Sequence, residues 1–192
     1  MESLTALVFS SGWASGINAY ATVAVLGLAD RLSDTAAIPD TLARTDVLVI
    51  SLVMFTVELV VDKVPVADSM WDAVSTVVRP AVGAFVAYHF AGDTSGTEQA
   101  LLTALGGGTA LTSHGIKAGL RLAVNTSPEP ISNGIVSTAE DVGVVTVVAL
   151  AVSHPWIALG ISASLLVAGA VTVVLLWRVI RKAWRRHRRV TT

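Results

Sequence analysis

The sequence predicts an all-α protein, a polytopic membrane helical bundle of about six membrane segments, and three observations support this fold class. Hydrophobic residues make up 53 % of the chain and charged residues 14 %, whereas a soluble domain carries roughly 25 % charged residues. The apolar residues come in long runs, and a bilayer core of about 30 Å requires runs of about 20. The triplet Val74-Ser75-Thr76 recurs as Val136-Ser137-Thr138, each after a proline-marked turn. The recurrence predicts two internal helix–Pro-turn–helix repeats.

The first predicted segment covers residues 4–28. It has no Lys or Arg before it and no small-residue cleavage site, so we do not expect a signal peptide. Gly12 and Gly16 form a G-x-x-x-G motif, which allows a second helix backbone to approach closely. Asn18 and Tyr20 are polar groups near mid-membrane that need partners. Two interpretations stay open here: tight helix packing, or a helix interrupted at the glycines to expose backbone to a ligand.

Five further segments are predicted after the first. They cover residues 47–63, 67–89, 99–124, 135–153 and 156–177. Pro65 ends the second segment, because proline lacks an N–H group and disfavours helix in the residue before it. Pro80 is expected to kink the third segment, and Gly106-Gly107-Gly108 to soften the fourth. Residues 30–46 and 90–98 are predicted loops, residues 125–133 a second proline turn, and His154-Pro155 a tight turn.

The distribution of basic residues predicts the topology. Seven of the 13 Lys and Arg residues lie in residues 178–192, which we interpret as a basic cytoplasmic tail after a single transmembrane domain, residues 1–177. The positive-inside rule places this tail in the cytoplasm, and an even number of segments places the N-terminus there too. The predicted location is the plasma membrane, the bacterial inner membrane. The tail is expected to bind anionic lipid headgroups of the bilayer, and no nucleic acid.

Two stripes of charged residues flank the proline turns and supply the candidate binding residues. The first arm holds Glu58, Asp62, Asp68, Asp72 and Arg79, the second arm holds His114, Lys117, Arg121 and Asn125, and Asn18, Glu140 and Asp141 complete the candidate set for a substrate or an ion. At helical spacing Glu58 and Asp62 share one face, and Asp68, Asp72 and Arg79 share another. The four residues of the second arm form a single stripe. The first arm is acidic and the second basic at similar distances from their turns. An unpaired charge in low dielectric is costly, so we expect the two arms to neutralise each other.

Three interpretations of these charges remain open from sequence. They can form a solvated cytoplasmic loop, with charges near segment ends reaching water. They can be ion pairs that only fix helix packing. They can also line a polar cavity or conduction path open to the cytoplasm. For His114 alone, a hydrogen-bonded core histidine is favoured over a metal ligand or a proton relay.

Several chemical classes are excluded or disfavoured by the sequence. The chain has no cysteine, which excludes disulfide bonds, thiol catalysis and thiolate metal sites. It contains no Walker loop, dinucleotide fingerprint, H-E-x-x-H or G-x-S-x-G motif. We therefore expect no enzyme, no cofactor and no metal site, although an intramembrane hydrolase assembled from distant residues stays open.

Three stretches resemble a known family. SGWASGINAYATVAVLGL, the VELVVDKVP unit with its following VVRPAVGA, and HGIKAGLRLAVNTSPEPISNG resemble a bacterial family of small multi-pass membrane proteins known only as domain of unknown function 4126. The resemblance implies a membrane architecture and brings no activity, substrate or catalytic residues with it. A second likeness is to polyprenyl-phosphate-recycling membrane proteins, whose re-entrant hairpins pair carboxylates with prolines as residues 58–68 and 125–132 do.

The functional expectation is a transporter or channel for a small solute or ion, including an anion or a phosphorylated lipid headgroup held by Lys117 and Arg121. The alternative is a non-catalytic scaffold or accessory subunit of a partner complex, and a homo-oligomer stays open. A water-accessible cavity reaching Glu58, Arg79 and Arg121 would favour transport. Charges used only for packing, and a G-x-x-x-G surface open to a neighbour, would favour the scaffold.

Overall fold

Eight α-helices account for all regular secondary structure in the described part of the chain, which confirms the all-α class. The computed structural model describes residues 2–33, 38–62, 64–92, 94–125 and 130–190, and at residues 65, 123–125, 130–133 and 183–190 it describes the backbone alone. The helices are α1 (Glu2–Ile17), α2 (Ala19–Ser33), α3 (Asp40–Ala43), α4 (Thr45–Val61), α5 (Pro65–Ala91), α6 (Gly96–Asn125), α7 (Pro130–Ser153) and α8 (Pro155–Val190).

The first predicted segment is a helix pair, α1 and α2, separated only at Asn18. The helical hydrogen-bond pattern continues across the break, because the Asn18 N–H donates to Ala14 O at 2.9 Å and the Thr22 N–H donates to Asn18 O at 3.1 Å. The Asn18 side chain then caps α2, since its Oδ1 accepts the Ala21 N–H at 2.9 Å, the usual N-cap geometry. The interruption therefore lies at Asn18, two residues beyond Gly16.

Close packing explains the glycines of α1. A Cβ atom added at Gly12 would lie 2.6 Å from Gly106 O on α6, and one added at Gly16 would overlap Ser113 Oγ and Ala110 O. Glycine also brings α5 and α6 together, because a Cβ atom at Gly83 would lie 2.9 Å from Gly106 O. Of the two interpretations of the G-x-x-x-G motif, tight packing is the one confirmed.

Proline marks the start of α5 and α7. Pro65 is the first residue of α5, where its missing N–H has no helical partner to lose. Pro130 begins α7, while residues 126–129 of the predicted second turn lie outside the described residues. Pro80 lies inside α5 without ending it. The predicted softening at Gly106-Gly107-Gly108 is wrong, because α6 continues through these residues without a break.

The two predicted repeats correspond to the helix pairs α4–α5 and α6–α7. The last two residues of the shared triplet have the same burial in both, with Ser75 and Ser137 buried and Thr76 and Thr138 exposed. Helix α1 contacts α5, α6, α7 and α8, so it lies between the repeats and the last helix. The pairs and α1 meet around the Asn18 break, which positions the candidate site.

Two helical stretches among the described residues are long and apolar enough to cross a membrane. They are Gly134–Ser153, with mean hydropathy 1.9, and Pro155–Lys182, with mean hydropathy 2.4. Only 28 % and 6 % of their most apolar windows are buried inside the protein, so packing within the chain does not account for their apolar character. Helix α8 also continues unbroken across residues 177 and 178, without a turn before the predicted basic tail.

Candidate functional site: a buried charge cluster at the helix break

The predicted charged residues come together in one buried cluster. Its members, called the charge cluster below, are Glu58, Asp62, Asp68, Asp72, Arg79, His114, Lys117, Arg121, Glu140 and Asp141. All are at most 9 % exposed except Glu140, whose side chain is 17 % exposed. The interpretation as a solvated loop is therefore wrong for these residues. The end of α4, the first half of α5, the second half of α6 and the middle of α7 converge to enclose them.

Arg79 lies in the first repeat, and it forms ion pairs with two carboxylates of its own arm. Its Nη2 donates to Glu58 Oε1 at 2.6 Å, and its Nη1 lies 3.3 Å from Asp72 Oδ1. The Arg79 and Glu58 side chains are each 1 % exposed. Because a buried charge without a partner is strongly destabilising, this pair requires both members.

The hydrogen bonds of His114 fix its protonation. Arg79 Nη1 lies 2.8 Å from Nδ1 of the imidazole, and a guanidinium can only donate, so Nδ1 accepts. Nε2 then carries the hydrogen and donates to Thr76 Oγ1 at 3.1 Å, while the Thr76 hydroxyl donates to Asp72 O at 2.9 Å. His114 is thus a neutral, hydrogen-bonded core histidine, which confirms that prediction.

Lys117 joins the basic arm to the acidic one. Its Nζ donates to Ile17 O at 2.9 Å and to Asp62 Oδ2 at 3.2 Å, and it lies 3.4 Å from Glu140 Oε2. An ammonium group has three donors, so these three oxygens use its hydrogen-bonding capacity. The Lys117 side chain is 1 % exposed.

Arg121 makes the second large set of contacts in the basic arm. Its Nη2 donates to Glu140 Oε2 at 2.6 Å and to Asp62 Oδ2 at 3.2 Å, and its Nη1 donates to Asp62 O at 3.1 Å. Asp68 Oδ1 lies 3.7 Å from Nη1. Asp62 and Glu140 therefore each bridge both cations of α6, and Asp62, at the end of α4, joins the first repeat to the second.

The break at Asn18 supplies the remaining polar partners. Gly16 O and Ile17 O lie in the last turn of α1, and they accept hydrogen bonds from Arg79 at 3.4 Å and Lys117 at 2.9 Å. Cations are favourable at the C-terminal end of a helix because of its dipole. On the other side of the break, Asn18 Nδ2 donates to Asp141 Oδ1 at 3.0 Å. Sequence analysis found Asn18 as a polar residue in an apolar run, but it did not find the carbonyl groups.

The described members of the charge cluster are not balanced in charge. Six carboxylates lie with three cations, which gives a formal charge of −3 when all are ionised and His114 is neutral. Glu58 Oε2 and Asp141 Oδ2 are buried atoms without a hydrogen-bond partner in the described part of the chain. Lys63 and the side chain of Asn125, the last predicted candidate, lie outside the described residues. The acidic excess is the property most relevant to ligand chemistry.

Among the described residues, two cavities meet the charge cluster from different faces of α6. The smaller, called the α5–α6 cavity, has a volume of about 190 Å³ and is lined by Asp72, Thr76 and Arg121 among others. The larger, called the α8 cavity, has a volume of about 480 Å³ and lies between α1, α6, α7 and α8, with Lys117 and Glu140 in its wall. Neither cavity is lined by Glu58 or Arg79, so of the three residues that a transport cavity was expected to reach, these two cavities reach Arg121 alone. The α5–α6 cavity therefore reaches the charge cluster at Arg121, and the α8 cavity reaches it at Glu140.

The cluster does not have the form of a metal centre. In the part of the chain that the structure describes, no group of three or more His, Asp or Glu side chains is placed to hold a metal ion. Each carboxylate instead pairs with a guanidinium, an ammonium or an amide group. The formal charge of −3 on its described members favours positive charge at the cluster.

Fold and site together define an all-α protein whose buried charge cluster surrounds a one-residue helix break, with strongly apolar helices beside it. The family described as Domain of unknown function (DUF4126) matches residues 5–180. The chain belongs to this family, as the resemblance of its three stretches implied. No curated protein and no solved structure matches the chain, so the function is argued from its residues.

Proposed function

We propose that the protein is a multi-pass integral membrane transporter or channel for a small solute or ion, with the charge cluster as its polar centre. The observation that carries the proposal is a buried, acid-rich cluster beside a broken helix, approached by two cavities. Ionisable groups inside membrane segments are rare and mark ion or substrate pathways. Discontinuous helices near the membrane midplane are a common element of transporter sites.

The outer faces of the helices support more than two membrane segments. Val49, Ile50, Val53 and Val60 on α4 are each more than half exposed, and α4 has 17 residues, the lower limit of about 17–25 for a membrane helix. Apolar patches of this extent are rare on soluble monomers. A lipid environment explains them.

Mean hydropathy understates α5 and α6 because their charges face inward. Arg79 and Arg121 are each 1 % exposed, whereas Val77 on α5 and Leu101 and Leu122 on α6 are each more than 60 % exposed. A paired, buried charge does not meet lipid, although an averaged hydropathy counts it as if it did. The helix pair α1–α2 together with α4, α5, α6, α7 and α8 gives the six segments of the proposal.

The proposed orientation places both termini and the two proline turns in the cytoplasm of a bacterial cell, with the basic tail on anionic lipid. The chain has no native cysteine, so single cysteines report position without interference. Val64→Cys lies at the first proline turn and Ser95→Cys at the opposite end of α5. An impermeant thiol reagent added to intact cells is expected to label the Ser95→Cys protein alone. The opposite labelling pattern would reverse the orientation.

The geometry favours a proton or a cation over an anion as the transported species. Lys117 and Arg121 are already paired with carboxylates, so a phosphate group would have to displace Asp62 or Glu140. Glu58 Oε2 and Asp141 Oδ2, by contrast, have no hydrogen-bond partner among the described residues, so each can bind a proton or attract a positive ion without displacing one. A phosphorylated lipid headgroup is therefore the less favoured form of the proposal.

The test uses Asp141→Asn in purified protein reconstituted into liposomes. This change keeps the acceptor that Asn18 uses, and it removes a carboxylate oxygen that has no hydrogen-bond partner. We expect the folded protein to keep its thermal stability and the proton, Na⁺ or K⁺ flux to fall below that of the unmodified protein. Asp46→Asn, at a carboxylate that is 57 % exposed, is the control and should leave flux unchanged.

The scaffold alternative predicts a different result from the same preparation. If the unmodified protein conducts none of these ions, and a partner protein co-purifies with it in stoichiometric amount, the transport proposal fails and the scaffold takes its place. The G-x-x-x-G surface that would have favoured the scaffold is used within the chain, where Gly12 and Gly16 pack on α6.

A further inference from the structure

The α8 cavity has the size and composition of a binding site for an organic molecule. Its volume of about 480 Å³ lies within the range of roughly 300–1,000 Å³ that is typical of small-molecule sites. Most of its wall is apolar, including Ile116, Leu120 and Leu165. Lys117 and Glu140 form its polar end.

The polar group available at that end is the Glu140 carboxylate. Its side chain is 17 % exposed, compared with 1 % for Lys117. The contacts of Glu140 with Lys117 and Arg121 are all made by Oε2, and Oε1 makes no ion pair with the described cations. The Lys117 ammonium, in contrast, donates to Ile17 O and Asp62 and faces the interior of the charge cluster.

An aromatic ring lies in the same wall. Trp13 lines the α8 cavity and is 7 % exposed. Indole rings attract cations through their π-electrons, and this attraction grows when the cation is desolvated. Trp13 and Glu140 therefore both favour positive charge.

We propose that the α8 cavity binds an amphipathic organic cation, with its positive group at Glu140 and its apolar body between α6, α7 and α8. The inference rests on the proposed function, whose substrate class it names. Charge complementarity selects this occupant, because the described charge cluster, Glu140 included, has a formal charge of −3. An anion would meet a carboxylate and an already paired lysine. A neutral lipid chain would leave Glu140 Oε1 desolvated without a partner, which is unfavourable.

The experiment measures equilibrium binding of radiolabelled tetraphenylphosphonium to the purified full-length protein in detergent. Tetraphenylborate is the competitor, because it has nearly the same shape and the opposite charge. We expect saturable binding of the cation and no competition by the anion. Equal competition by tetraphenylborate would overturn the proposal, since shape alone would then decide binding. Absence of saturable binding would also overturn it.

Two glycines provide a matched pair of variants that fill or spare the cavity. Gly143 lines the α8 cavity and Gly160 does not, and a Cβ atom added at either meets nothing within 4 Å. Both lie in helices, where leucine is a better helix former than glycine, so Gly143→Leu and Gly160→Leu should both fold. Gly143→Leu is expected to abolish tetraphenylphosphonium binding and Gly160→Leu to preserve it. Unchanged binding by Gly143→Leu would place the cation elsewhere and refute the site.

Glu140→Gln tests the charged contact itself. Loss of the carboxylate should weaken tetraphenylphosphonium binding at least about tenfold, because a partly buried charge pair is lost. Wild-type affinity in this variant would contradict the role of Glu140. If the variant does not fold, the glycine pair still decides the outcome.

Binding and transport fail independently in these assays. Ion flux in liposomes without tetraphenylphosphonium binding would leave the proposed function in place and refute the cavity as a site for organic cations. Saturable, Gly143-dependent binding without any flux would establish the site and refute the transport on which its role as a substrate site rests.

Discussion

The contact between α1, α5 and α6 has two halves that are held together by opposite means. In one half, Gly12, Gly83 and Gly106 bring backbones so close that an added Cβ atom would meet a carbonyl oxygen. In the other half, Arg79, Lys117 and their carboxylates fill the space between the same helices. The glycine half contains almost no side chain to adjust. The ionic half contains long side chains whose partners must all be present.

The difference shows how the contact between these three helices can be both rigid and polar. Association of helices in lipid depends on packing and polar contacts, since burial of apolar surface from water does not contribute there. The glycine half supplies close packing, and the ionic half supplies directional contacts that fix the register of α5 against α6. We therefore expect a substitution to destabilise the ionic half by leaving a buried charge unpaired, and the glycine half by overpacking.

The largest expected effect is in the ionic half. Arg79→Gln leaves Glu58 and Asp72 without their cation and removes the donor to His114 Nδ1. Breaking a buried pair in this way costs about 3–5 kcal/mol, so the folded fraction in detergent should fall sharply. The measurement is a thermal unfolding curve of the purified protein. The double change Glu58→Gln with Arg79→Gln should recover part of the loss, and strict additivity would mean that the two residues do not interact.

The next effect is in the glycine half. Gly16→Ala places a Cβ atom against Ser113 Oγ and Ala110 O, and part of that contact is backbone. Overpacking of this kind costs about 1–3 kcal/mol, and the loss should appear in the same unfolding curve. Gly108→Ala is the matched control, because a Cβ atom there meets nothing within 4 Å. It should be neutral or stabilising, and equal destabilisation by both changes would show that sterics at α1 do not matter.

The smallest effect is expected outside both halves. Arg44 and Asp46 form an ion pair at 2.7 Å, nearly the same length as the 2.6 Å pair of Arg79 and Glu58, but with side chains 64 % and 57 % exposed. Exposed pairs contribute little because water and salt compete for both charges. Arg44→Gln should give an unfolding curve that superimposes on that of the unmodified protein. A large shift would contradict the role assigned to burial.

Sequence analysis could locate the residues that are polar or charged within an apolar stretch of sequence. Glu58, Arg79 and Arg121 are charges in apolar runs, and helical spacing was enough to group them by face. What spacing could not provide was the pairing across helices, because that depends on which faces meet. The pairing of Arg79 with Glu58 within the first repeat, and of Arg121 with Glu140 in the second, emerges only from the packing.

The helix break shows the same limit from the backbone side. Asn18 was recognisable as a polar residue, but the free carbonyls of Gly16 and Ile17 belong to every residue type and carry no sequence signal. The G-x-x-x-G motif left two interpretations open, and close packing is the one that the structure confirms. Its partner surface on α6 includes Gly106, which was expected to soften that helix. Glycine in a helix can allow close packing or weaken the helix, and which effect dominates depends on the packing of the neighbouring helix.

The break at Asn18 has a consequence for the order in which the chain is completed during synthesis. Gly16 O, Ile17 O and the Asn18 amide obtain their partners from residues 63, 100 and 123 positions further along the chain. In the proposed membrane topology, the first segment therefore carries polar groups that nothing in α1 or α2 can satisfy until those residues have been made. The polar contacts of this segment are thus complete only when α7 is present, because chains that end before α7 still lack the carboxylate that Asn18 binds.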